Sequence, residues 1–192
     1  MDDDLIHLDD LDQHGLSSSR GYTTPTSRVQ PGQVYETLPV SSETRSIRVL
    51  DLHAAPTYDS PLYGSLRLVA LQDCPRFAAL SYVWGLRSPS EDGTITCNDC
   101  ALRITKNCRD ALLALRNRFG SLSIWVDAIC INQEDDVDKA TQIPLKEEIY
   151  TWAYAVYVWL GPPSDESDRA IRHSLAFQGL QSYQISHSCT VA

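Results

Sequence analysis

Polar and aromatic residues gather at the ends of two of the three long apolar runs in this sequence. A hydroxyl, a phenol and an indole close the first run, and a carboxylate, a thiol and two amides follow the core of the second. An indole can stack on a flat ring, while carboxylate and amide groups can bind hydroxyls and amides, so together they could line a small-molecule cleft. The candidate ligand-binding residues are Ser81, Tyr82, Trp84, Asp127, Asn132 and Gln133.

The same residues also fit a purely structural role. Asp127 and Asn132 could cap the following helix and fix its loop, and Trp84 and Trp125 could belong to the core. Spacing alone does not choose between a ligand cleft and this structural arrangement, so both interpretations stay open at this stage.

Other reactive residues give weaker signals. Cys97-x-x-Cys100 has metal-ligand spacing, but a structural zinc site needs four ligands and no second pair follows, so we expect no metal. Cys130 could act as a nucleophile only with a histidine partner, and none of the five histidines lies in a readable motif. Glu147 and Glu148 could be acid–base groups, but a solvated helix face is the better explanation of both.

The elements that must position these residues can be predicted from hydrophobic patterning. The runs 77–85, 122–131 and 155–161 are almost continuously apolar, which is typical of strands buried on both faces of a parallel sheet. One helical pattern precedes the second run, and another lies between the second and third runs. Strand–helix–strand–helix–strand order predicts crossover units, and hence an α/β fold with a mainly parallel sheet and flanking helices.

Local signals refine this prediction. Residues 94–105 read as an inserted β-hairpin with Asn98 and Asp99 at its turn, and 46–54 reads as a further strand. One helix should begin at Lys106 after a Thr105 cap and end at Gly120; a second, over about 136–154, should be kinked or restarted by Pro144. The residues expected to face the core are Cys108, Leu112, Leu115 and Phe119 in the first helix, and Val137, Ala140, Ile143, Ile149 and Ala153 in the second.

Composition divides the 192 residues into three parts. Residues 1–33 are acidic and rich in Ser, Thr and Pro, which predicts a disordered tail; 34–178 form the α/β domain; and 179–192 are expected to be irregular.

The net charge of −9 argues against nucleic acid and membrane-surface binding, and no apolar run approaches the roughly 20 residues of a membrane helix. An acidic N-terminus without a targeting pattern and six cysteines without a disulfide framework favour the cytoplasm.

Several segments carry a resemblance to a known family. The first apolar run reads FAALSYVWG, close to the family pattern Y-x-A-L-S-Y-x-W-G, and the second continues as IWVDAICINQED, which contains the long and unusual string W-x-D-A-x-C-I-N-Q. Together with ITKNCRDALLALR after the hairpin and VYVWLG in the third run, these segments resemble the heterokaryon incompatibility (HET) domain over roughly residues 35–167.

This resemblance implies both a fold and a function. HET domains act in filamentous fungi, where they trigger programmed cell death after genetically different hyphae fuse, and their fold is similar to the Toll/interleukin-receptor (TIR) and flavodoxin-like α/β folds. It implies a regulatory or interaction module that contacts protein partners or self-associates. Because several TIR-like domains cleave NAD with a helix glutamate, an NAD glycohydrolase is the alternative, with NAD as substrate and no bound cofactor.

The chain departs from the family pattern in three places. Asp138 stands where the family usually carries Glu, and Lys146 stands where it carries an apolar residue, usually Met, so that the cation must snorkel or destabilise the packing. A later family block close to R-x-W-x-x-Q-E, with the glutamate an NAD-cleaving enzyme would use, is not found before Ala192. We therefore expect a domain cut short before its last motif, with no assignable catalytic residue, and an inactive remnant is a third hypothesis.

Overall fold

The computed structural model describes residues 32–162 and 180–183, which form one mixed β-sheet with flanking helices. Within these residues, the strands in chain order are β1 Ser46–Leu52, β2 Leu62–Ala70, β3 Ala78–Tyr82, β4 Gly93–Cys97, β5 Cys100–Ile104, β6 Leu122–Trp125, β7 Val156–Trp159 and β8 Leu180–Tyr183. The helices are α1 Gln33–Glu36, α2 Lys106–Phe119, α3 Asp127–Cys130, α4 Asp136–Gln142 and α5 Lys146–Trp152, with 3₁₀ turns at Leu71–Asp73 and Ile143–Leu145. The predicted α/β class is confirmed.

The three strands that carry the motifs lie together and run parallel. The sheet order is β5-β4-β2-β1-β6-β3-β7-β8, and β3 pairs in parallel with both β6 and β7. The ends of β3, β6 and β7 therefore meet at one edge of the sheet, which we call the C-terminal edge. In open α/β sheets this is where ligands and partners are usually bound.

The remaining pairings extend the sheet on both sides. β2 and β4 are parallel, whereas β1 pairs antiparallel with β2 and β6, and β8 pairs antiparallel with β7. The predicted hairpin is β4–β5, and its turn residues Asn98 and Asp99 have φ of 48° and 65°. Two consecutive left-handed residues make the turn that matches strand twist, and the Asn98 side chain also bonds both backbone groups of Leu66 at 2.9 Å.

Helix α2 begins and ends where its sequence signals predict. The Thr105 side chain accepts from the Cys108 backbone N–H, and Gly120 at φ 73° follows the last turn. Cys108, Leu112 and Leu115 are buried as expected. The prediction that Phe119 faces the core is wrong, because this residue is 40% exposed. Its ring packs against that of Tyr157, with the two ring centroids 5.1 Å apart.

The second predicted helix is broken at Pro144, as expected, into α4, a 3₁₀ turn and α5. Before Pro144 the buried residues are not the ones predicted, because Val137, Ala140 and Ile143 are exposed. Asp138 and Gln142 are buried instead, since each has a polar partner in the strand β1. Ile149 and Ala153 are buried as predicted.

The predicted bounds of three segments differ from the structure or can be compared with it only in part. The run 122–131 is a strand only to Trp125, because Asp127–Cys130 forms the helical turn α3. The predicted tail 1–33 falls outside the described residues except for positions 32 and 33. In the end segment 179–192, expected to be irregular, Leu180–Tyr183 forms β8, and its other residues lie outside the description.

The described cysteines fall into two groups. Cys97, Cys100, Cys108 and Cys130 are free and buried, while Cys74 is disulfide-bonded, which the sequence analysis did not predict. No helix in the described part of the chain is long and apolar enough to cross a membrane.

Candidate functional site

Asp127 lies at the start of α3, directly below the C-terminal edge, and is only 8% exposed. Both of its carboxylate oxygens are engaged. The indole N–H of Trp84, which follows β3, donates to Oδ1 at 3.0 Å, and the ammonium group of Lys146 at the start of α5 contacts Oδ2 at 3.0 Å. The structure thus brings the predicted residues Trp84 and Asp127 together and adds a cation that compensates the buried charge.

Lys146 reaches this carboxylate over an aromatic surface. Its ammonium nitrogen lies 5.9 Å from the centroid of the Trp125 ring, and the ring of Tyr150 packs edge-on against Trp125 at 5.7 Å. The cation is therefore accommodated by an ion pair and a π-face rather than by burial among apolar side chains. The side chain remains partly exposed, which agrees with the expectation that a cation at this position must snorkel.

Tyr82 contributes a buried hydroxyl to the same cluster. Its Oη is buried beside the Cys108 thiol. Burial, followed by the neighbouring Cys108 thiol and the Asp127 carboxylate, raises the pKa of Tyr82 far above its usual range. The phenol is thus held neutral. Ser81, the preceding residue of β3, is half-buried opposite Val158 of β7.

Asn132 and Gln133 lie in the loop after α3 and hold its backbone. The Gln133 side-chain amide donates to the Asp127 carbonyl at 2.9 Å, and the Asn132 side-chain oxygen accepts from the Glu134 N–H at 3.2 Å. Neither Asp127 nor Asn132 caps α4 as the structural alternative proposed; Asp135 does, accepting from the Val137 and Asp138 N–H groups. Asn132 and Gln133 also line a cavity of about 170 Å³.

Five of the six predicted residues therefore form two adjoining groups rather than one cleft, and Ser81 makes no side-chain hydrogen bond to either group among the described residues. Tyr82, Trp84 and Asp127 cluster at the C-terminal edge, while Asn132 and Gln133 face a separate cavity and are joined to the cluster through the Gln133–Asp127 hydrogen bond. Side-chain contacts give Asp127, Asn132 and Gln133 structural roles, so the structural interpretation accounts for much of what the sequence pattern suggested.

Comparisons with known proteins identify the family. The family model described as "Heterokaryon incompatibility protein (HET)" matches residues 77–190. The chain belongs to the HET family. It is 35% identical over 159 residues to heterokaryon incompatibility protein 6, OR allele, of Neurospora crassa, an alignment that covers 76% of this chain and 23% of that protein. The chain thus spans less than a quarter of that relative's length. No solved structure matches it.

A buried polar network around Arg48 was not predicted from the sequence of this HET domain. Arg48 of β1 is 2% exposed and forms a two-pronged ion pair with Asp138 of α4, at 3.0 and 2.8 Å. Its guanidinium also donates to the Leu38 and Cys130 carbonyls at 2.8 and 3.2 Å, and it lies 5.0 Å from the Tyr35 ring centroid.

Besides its ion pair with Arg48, Asp138 holds the loop after α3, since its Oδ2 accepts from the Asn132 backbone N–H at 2.8 Å. It occupies the position where the HET resemblance places a glutamate, so a carboxylate is retained there with a shorter side chain. The match of Asp138 to a family glutamate position was the one sign in the sequence that this carboxylate matters. Nothing in the sequence indicated that Arg48 is its partner.

The four free cysteines among the described residues are all buried, which places them poorly for nucleophilic chemistry. Burial raises the pKa of the Cys130 thiol to about 12, and its Sγ accepts from the Val126 N–H at 3.3 Å, so the nucleophile hypothesis gains no support. Cys97 and Cys100 face each other across the hairpin turn. Among the residues described, no group of three or more His, Cys, Asp or Glu side chains is placed to hold a metal ion.

Proposed function

We propose that this HET domain is a regulatory and interaction module of fungal non-self recognition, the process called heterokaryon incompatibility. It contributes to programmed cell death through contact with a protein partner or with a second copy of the chain. Membership of the HET family and the similarity to a Neurospora heterokaryon incompatibility protein support this proposal. We place the module in the cytoplasm. Its partner is a protein, because a net charge of −9 disfavours binding to nucleic acid.

The observation that carries the proposal is the character of the C-terminal edge. Val83 and Leu160 directly follow Tyr82 and Trp159, which are paired residues of the parallel strands β3 and β7. Both side chains are exposed, Val83 by 76% and Leu160 by 57%. Apolar side chains that lie side by side on an exposed edge are a feature of protein contact surfaces.

The alternative function, cleavage of NAD, needs a carboxylate that can stabilise an oxocarbenium-like transition state. Asp127 is the buried carboxylate nearest the C-terminal edge, and its two oxygens are occupied by Trp84 and Lys146. An engaged carboxylate beside exposed apolar side chains favours contact over catalysis.

Expression of the chain in a filamentous fungus tests the proposal. Hyphal death would be scored by vital-dye uptake for the wild type, Val83→Asp and Val137→Asp. Val83 directly follows β3 at the C-terminal edge, whereas Val137, 74% exposed on α4, is a matched apolar position elsewhere. We expect the wild type and Val137→Asp to kill hyphae and Val83→Asp to lose most of that effect, because a carboxylate at the contact must be desolvated.

Both substitutions are at exposed positions, so circular dichroism should report unchanged folding. Equal killing by both variants would refute the assignment to the C-terminal edge. No killing by the wild-type chain would refute the proposed role in cell death.

A further inference from the structure

We propose that the cavity of about 170 Å³ beside α1 binds the oxyanion group of a small molecule, either a phosphate or a carboxylate. This site adjoins the C-terminal edge through the Gln133–Asp127 hydrogen bond, but it does not depend on the proposed function. Its walls come from α1, the loop after β3, strand β5 and the loop after α3; the polar side chains among its lining residues are Tyr35, Arg87, Arg103, Asn132, Gln133 and Glu134.

Two arginines line this cavity. No carboxylate among the described residues pairs with Arg87, whereas Arg103 contacts Asp92 at 3.7 Å. Glu134 is the one acidic side chain among the described lining residues. Arg87 is therefore the guanidinium whose charge is left for an oxyanion, and its planar group matches both phosphate and carboxylate geometry.

Asn132 adds a neutral hydrogen-bond donor. Its side-chain oxygen accepts from the Glu134 N–H at 3.2 Å, which fixes the orientation of the amide. Its Nδ2 group donates to no described residue and so remains available to an oxyanion. The Gln133 amide nitrogen, in contrast, is already used by the Asp127 and Ile131 carbonyls. We therefore expect Arg87 and Asn132 to bind the ligand and Gln133 to hold the wall.

The size of the cavity restricts the ligand. A volume of about 170 Å³ is room for one charged head group. A neighbouring cavity of about 350 Å³ shares Gly32, Tyr35 and Asn132 as lining residues. The uncharged remainder of the ligand would extend past Tyr35 into this second space.

Nuclear magnetic resonance of the isotopically labelled full chain tests the proposal. The chain would be titrated near neutral pH with inorganic phosphate and, separately, with acetate, each against sodium chloride of equal ionic strength. We expect saturable shifts of the Asn132 side-chain amide and of the β5 amides with at least one oxyanion. A response to phosphate alone would identify a phosphate-bearing ligand, and a response to both would identify a general carboxylate or phosphate site.

Arg87→Ala and Arg109→Ala supply the matched comparison. Arg109 lies on α2, where its guanidinium contacts Asp110, and is not among the cavity residues. We expect Arg87→Ala to weaken oxyanion binding about tenfold or more, a loss of ~1.4 kcal/mol, and Arg109→Ala to leave it unchanged. The proposal is overturned if neither oxyanion gives saturation, if chloride gives the same shifts, or if the two variants behave alike.

Discussion

Asp138 and Arg48 show what the residue scale adds to the sequence. Apolar periodicity predicted that Val137, Ala140 and Ile143 would face the core, yet α4 buries Asp138 and Gln142. Their partners on β1 lie 90 and 96 positions earlier in the chain, so no local window of the sequence contains both members of either pair. A buried charge is stable only with its partner, and that partner cannot be read from helical spacing.

Removing one member of this ion pair should be strongly destabilising. Asp138→Ala leaves the Arg48 guanidinium buried without its carboxylate and takes an acceptor from the Asn132 N–H. We expect a loss of about 3–5 kcal/mol in the free energy of unfolding, measured by urea denaturation.

Asp136→Ala is the control on the same helix. Asp136 is fully exposed and pairs with Lys139 on the surface, so its removal should barely move the denaturation midpoint. Similar midpoints for Asp138→Ala and Asp136→Ala would show that the Arg48–Asp138 pair does not hold α4 to the sheet.

At the scale of elements, features with local signals were predictable. The hairpin turn at Asn98 and Asp99, the Thr105 cap and the break at Pro144 each depend on a few adjacent residues, and each is confirmed. The early end of β6 at Trp125 was not predicted. An apolar run of this length fits a strand and a helical turn equally well. Only the structure shows that Asp127–Cys130 is helical and that the strand has ended before it.

Gly120 provides a test of one such local signal. Its φ of 73° and ψ of −114° lie in a region open mainly to glycine, although the nearest atom to an added Cβ, that of Ala54, is a comfortable 3.9 Å away. Gly120→Ala should therefore cost about 1–3 kcal/mol through backbone strain, measured as a lower free energy of unfolding.

Gly32→Ala is the matched substitution without strain. Gly32 has φ −65° and nothing within 4 Å of an added Cβ, so the variant should be as stable as the wild type. If Gly120→Ala were equally neutral, the left-handed end of α2 would not be required by the fold.

At the scale of the whole molecule, parallel strand order explains which site predictions hold. Strand ends that share an edge bring Trp84 to Asp127, as the sequence suggested. What occupies the carboxylate could not be predicted, because Lys146 follows Asp127 by 19 positions, across α3, α4 and a 3₁₀ turn. The residue that marked a departure from the family pattern is the one that closes the cluster.

The central claim is that this edge acts through contact and not through catalysis. Its most direct test is release of nicotinamide from NAD, followed by chromatography, for the concentrated full chain and for Asp127→Ala. Because Trp84 and Lys146 already engage the Asp127 carboxylate, we predict no release from either protein while circular dichroism shows both to be folded. Release by the wild type that Asp127→Ala abolishes would contradict the account and identify the cluster as a catalytic site.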